Sequence, residues 1–71
     1  MSNRNYWMMF MKDPDAENTW QPEFGDFDKS TVEYEMDCYK QSYNYKNCKF
    51  KIKLTVNRKG AIDQLTRELN S

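Results

Sequence analysis

The chain has 71 residues, 38% hydrophobic and 31% charged, with eleven acidic and eleven basic side chains and a formal net charge of zero. That length fits one small domain, whose core supplies about 3–5 kcal/mol of net stability. Five Tyr, four Phe and two Trp separate it from disordered chains, and the absence of histidine removes the commonest general base near neutral pH, which argues against an enzyme.

The neutral total hides a segregation. Residues 13–37 hold nine acids against one base, and residues 38–59 hold seven bases and no acid. Each half presents a charged surface that can steer a partner of opposite sign. Cys38 and Cys48 lie ten residues apart with no Cys-x-x-Cys pair and no histidine, a spacing that suits no zinc site. With no export signal the two thiols are expected reduced, and the short apolar run from Tyr6 to Met11 cannot span a bilayer, so a cytoplasmic protein is the expectation. Asp13-Pro14-Asp15-Ala16-Glu17 lacks the glycine and distal glutamate of a calcium loop, and no glycine-rich loop could cradle a phosphate. No metal or cofactor is therefore expected.

Residues 1–5 are polar and expected to fray. Tyr6-Trp7-Met8-Met9-Phe10-Met11-Lys12 predicts a strand that is apolar on both faces, so one row needs a cover: the protein's own second helix, a twin subunit or a docked partner. Asp13 to Asn18 is turn chemistry. Thr19-Trp20-Gln21 then predicts a short edge strand limited by Pro22, and Gly25, between Phe24 and Phe27, predicts a tight turn or an unusual backbone angle. Asp28 is the expected N-cap of a helix, with Phe27 and Val32 at staple spacing and Ser30 with Glu33 as a competing capping box. Inside it Val32, Met36, Tyr39 and Tyr43 form one apolar stripe, and Glu33 and Asp37 lie on the far side.

From Lys49 to Val56 every second residue is apolar, which predicts an amphipathic strand with Phe50, Ile52, Leu54 and Val56 toward a core and Lys49, Lys51, Lys53 and Thr55 on the other surface. Asn57 to Gly60 breaks it. Ile62, Leu65 and Leu69 then mark a second helix over Ala61 to Leu69, with Asp63 and Arg67 spaced to pair. The expected fold is one α+β domain over residues 1–71: a three-stranded sheet of order 2-1-3 with a helix across one face (β-β-α-β), plus a C-terminal helix. A parallel first and third strand through a right-handed crossover is the simplest geometry.

Two surfaces follow, and they name two function classes. An acidic and aromatic surface built from Trp7, Trp20, Asp26, Glu33 and Asp37 would recognise a protein with a basic groove. The row Lys49, Lys51 and Lys53, beside a strand rich in Trp, Tyr, Phe and Met, would neutralise the phosphates of a single-stranded nucleic acid whose bases stack on exposed rings. If the first helix covers the Phe50 face, its acids lie across the sheet from the lysines and leave them a positive surface.

The stretch Trp20-Gln21-Pro22-Glu23-Phe24-Gly25-Asp26-Phe27-Asp28, followed by Val32 and Glu33, resembles a W-x-P-x-F-G-D-x-D signature of small, largely uncharacterised tailed-phage proteins. Strand, strand, helix, strand in a chain of this length is similar to the small phage-encoded inhibitors of bacterial RNA polymerase, which clamp an acidic and aromatic surface onto a basic domain of that enzyme. This chain departs from them by its Ala61–Leu69 helix and its lysine row. The resemblance implies an accessory protein of the host bacterial cytoplasm that binds and modulates a host protein, in transcription or in a defence complex.

Overall fold

The computed structural model describes residues 4–71. Residues 1–3 of the segment expected to fray lie outside the described residues, while Arg4 sits with its guanidinium 4.2 Å from the Phe27 ring centroid. The chain runs β1 (Tyr6–Lys12), β2 (Trp20–Asp26), α1 (Lys29–Gln41), a 3-10 turn (Tyr43–Tyr45), β3 (Lys49–Thr55) and α2 (Lys59–Asn70). The three strands form one sheet of order β2-β1-β3. This is the α+β arrangement expected, in the expected strand order.

The apolar run from Tyr6 to Met11 becomes the central strand because it alone can bury both faces. Alternation sends Met8 and Phe10 one way and Met9 the other, and all three are buried. On the Met8 face, Phe10 and Trp20 complete a core against which Tyr6 and the α2 residues Ile62, Leu65 and Leu69 pack. On the Met9 face lies α1, whose Val32 is fully buried. The protein's own second helix therefore covers the spare row.

Tyr6 stands opposite Thr55 and Lys12 opposite Lys49, so β3 is antiparallel to β1, not parallel. The helical crossover leaves from β2 rather than from β1. It returns the chain to run in the direction of β2, and β2 is itself antiparallel to β1. The result is a β-α-β unit split by the strand between its two halves.

Two local expectations change for stated reasons. Pro22 does not end β2: an edge strand tolerates a missing N–H, and a register shift between Met9 and Phe10 absorbs the irregularity, with Phe24 opposite Met9 and Pro22 opposite Phe10. Gly25 is neither in a turn nor at positive φ. It is needed because the Tyr6 ring lies against it, and an added Cβ would stand 2.5 to 2.7 Å from that ring and its hydroxyl. Among the described residues the one at positive φ is Asn18 (φ 56°), which closes the hairpin turn by donating its N–H to the Asp13 carbonyl at 2.9 Å.

Asp28 caps α1 as expected, accepting the Ser30 N–H at 3.0 Å and the Ser30 hydroxyl at 2.8 Å. Those bonds, led by the Ser30 hydroxyl, hold the Asp28 carboxyl below its ordinary value. Ser30 is thus a donor to the cap rather than a rival cap. The helix stops at Gln41, so Tyr43 leaves the stripe and is 78% exposed. Tyr45 takes its place, with its ring centroid 4.9 Å from that of Tyr39, which in turn meets Phe50 at 6.0 Å.

β3, the strand most legible in the sequence, is an edge. Of its apolar residues Phe50 and Ile52 are half-buried and Leu54 is 52% exposed. α2 begins two residues earlier than expected, and Asp63 pairs with Lys59 at 2.7 Å instead of with Arg67. The Asn70 side chain docks this helix, donating to the Trp20 carbonyl at 3.0 Å and accepting the Trp20 N–H across 2.6 Å.

Candidate nucleic-acid interface

Residues directly opposite in adjacent strands share a face of the sheet. The face under α2 can therefore be read in rungs from β2 across β1 to β3: Trp20, Lys12, Lys49; then Pro22, Phe10, Lys51; then Gly25, Met8, Lys53. α2 packs over Met8, Phe10 and Trp20 of this grid, and the three β3 lysines remain exposed beside it. The other face, where Phe50, Ile52 and Leu54 stand beside Met11, Met9 and Trp7, belongs to α1. The acids on the back of α1 thus lie across the sheet from the lysine row.

At the end where β3 begins, the lysine row opens into a groove of about 830 Å³ lined by Lys12, Lys40, Lys46, Lys49 and Lys51 together with Trp20, Tyr45, Cys48 and Phe50. It wraps around the start of the edge strand, from the α2 face to the end of α1 and the 3-10 turn. No acid lines it. Two ammoniums share the Trp20 ring, Lys51 at 4.8 Å and Lys12 at 5.8 Å from its centroid, and Lys46 lies 4.4 Å from the Tyr43 centroid.

The hairpin turn borders the groove with opposite charge. Asn47 donates to the Asp15 carboxylate at 3.4 Å, and burial, followed by Asp13 and Asp15, pushes the Cys48 thiol above its ordinary value. The lysine side therefore carries positive charge and the turn negative charge. Cys38 is exposed and Cys48 half-buried, both unbonded.

Lys49 and Lys51 fall in the groove as the lysine-row expectation placed them, and Lys53 lies farther along the same face. Lys12, Lys40, Lys46 and Tyr45 were missed. They come from three other segments: the antiparallel register sets Lys12 opposite Lys49, while the end of α1 and the 3-10 turn bring Lys40, Tyr45 and Lys46 to the start of β3. The five acidic and aromatic positions do not form one patch. Trp20 is 7% exposed in the core under α2, whereas Trp7 and its rung partner Asp26 belong to the α1 face. The Lys29 ammonium lies 4.9 Å from the Trp7 ring centroid, and Asp26 accepts the Asp28 N–H at 2.8 Å. Glu33 and Asp37 are exposed on α1.

Among the described residues no cluster of three or more His, Cys, Asp and Glu is placed to hold a metal ion, and no helix is long and apolar enough to cross a membrane. No protein-family model, curated protein or solved structure matches the chain.

Proposed function

We propose that this protein is a single-stranded nucleic-acid-binding module. The observation that carries the reading is the groove: five lysines and three aromatic rings converge with no acid among them. Ammoniums supply affinity for any phosphate chain, and the half-buried Tyr45 and Phe50 offer ring surface that only unpaired bases can use. A duplex presents its bases already stacked, so it would meet the lysines alone.

Fluorescence anisotropy with a labelled mixed-sequence oligonucleotide, single-stranded and then annealed, tests this directly. The single strand is expected to bind more tightly at low salt. Each neutralised phosphate contributes a slope of about −0.7 in log affinity against log salt, so five lysines bound the slope at about −3.5. No detectable binding at low salt, or equal binding of the duplex, overturns the reading.

A second reading rests on the other surface: Glu33 and Asp37, one turn apart on α1, are exposed and have no ion-pair partner among the described residues, with the 67% exposed Tyr34 beside them. They would meet a basic protein surface, in keeping with the phage-type modulator of a host protein that the sequence resemblance implies. A partner recovered from bacterial lysate by the tagged chain, and lost with a Glu33→Gln, Asp37→Asn double variant, supports it. Equal recovery by that variant excludes this surface.

A further inference from the structure

We infer that Lys12, Lys49 and Lys51 form a seat for one phosphate group and that Trp20 is its positioning residue rather than a platform for a base. The inference deepens, and rests on, the nucleic-acid reading of the groove. Lys12 stands directly opposite Lys49 on the same face, with Lys51 one rung away. Like charges directly opposite in a sheet repel, and here no acid in the groove relieves them. A bound anion would. The Trp20 ring cannot take a stacked base, because at 7% exposure its surface is already given to Met8, Phe10, α2 and the two ammoniums. What it does is hold those ammoniums over a fixed ring, so that less side-chain freedom is lost when an anion binds between them. Lysine is a point-charge donor to phosphate, without the planar fork that would select a carboxylate's two oxygens. Stacking is left to Tyr45 and Phe50 at the α1 side of the groove.

A phosphate group can come from a nucleic-acid backbone or from free polyphosphate, and the test separates them. In a Trp7→Phe background, where Trp20 alone reports, the full chain is titrated with inorganic tripolyphosphate and with a short oligothymidylate. Both are expected to shift Trp20 emission and to compete. Lys12→Gln and Lys51→Gln are expected to weaken tripolyphosphate about tenfold and Lys53→Gln by no more than about twofold, while Tyr45→Ala weakens the oligonucleotide alone. Trp20→Phe, whose binding is read by calorimetry because the fluorescent reporter is gone, keeps a ring beneath the ammoniums and is expected to retain tripolyphosphate binding, whereas Trp20→Leu, read the same way and checked for folding by circular dichroism, loses it. If oligothymidylate binds but tripolyphosphate does not, or if Lys53→Gln costs as much as Lys51→Gln, the seat is overturned and the nucleic-acid reading stands. If tripolyphosphate binds by this pattern and oligothymidylate does not, the seat stands as a polyphosphate site and the nucleic-acid reading falls.

Discussion

Gly25 shows how a single residue can be demanded by a neighbour rather than by its own backbone. The Tyr6 ring occupies the space where a Cβ would go, and Tyr6 also meets Phe27 edge-on at 4.9 Å. Gly25→Ala must therefore displace an aromatic side chain packed against the core, and we expect a loss of about 1–3 kcal/mol, read by chemical denaturation. A Tyr6→Ala, Gly25→Ala double variant should lose less than the sum of the single changes, since the clash is gone. The two thiols give a second residue-scale prediction. Burial and the Asp13 and Asp15 carboxylates raise the Cys48 thiol, whereas Cys38 is exposed. A thiolate reacts and a thiol does not, so alkylation at pH 8 should label Cys38 first, with Cys48 catching up as pH rises. Equal rates followed by peptide mapping would contradict this.

At the scale of elements, α2 holds by one face and one clamp. Gly60 lies in its first turn with nothing within 4 Å of where a Cβ would stand. Gly60→Ala should therefore stabilise the protein by about 0.5–1 kcal/mol, measured as a higher thermal midpoint, because it only removes freedom from the unfolded chain. Asn70→Ala removes two partly buried hydrogen bonds to the Trp20 backbone and is expected to cost about 1–3 kcal/mol by chemical denaturation. Much of this level was legible in advance. The bounds of β1, the Asp28 cap and the existence of α2 follow from local apolar period and capping chemistry, which neighbours in sequence determine. The reach of β2 past Pro22 was not: the edge position was expected, but the register shift between Met9 and Phe10 that accommodates the proline belongs to the pairing of two strands and is written in neither alone. The direction of β3 follows from the chain order rather than from any residue inside β3: α1 leaves from β2, so the returning strand runs with β2 and against β1, a step the parallel expectation did not carry through. The groove was half legible, since two of its lysines alternate along one strand, while Lys12 joins them through the antiparallel register and Lys40 and Lys46 through the placement of α1 and the 3-10 turn at the start of β3.

For the molecule as a whole, the two-sided central strand couples everything else. β1 pairs with both other strands and carries buried residues on both faces, so neither helix can leave without exposing part of it. β3 is bound less firmly. Its ladder pairs on one side only, none of its residues is fully buried, and its main helical contact is with α1. The groove is consequently built on the strand expected to open most readily, since β2, the other edge, carries the buried Trp20 and meets both helices. Backbone amides of β3 should exchange with deuterium well before those of β1, in minutes rather than hours, as a local opening that leaves the hairpin intact. On the proposed reading, a ligand bridging Lys12 of β1 to Lys49 and Lys51 of β3 would tie the loose strand to the fixed one. Oligonucleotide should then slow exchange in β3 while leaving β1 nearly unchanged, so that occupancy of the groove is read from the amides of a single strand.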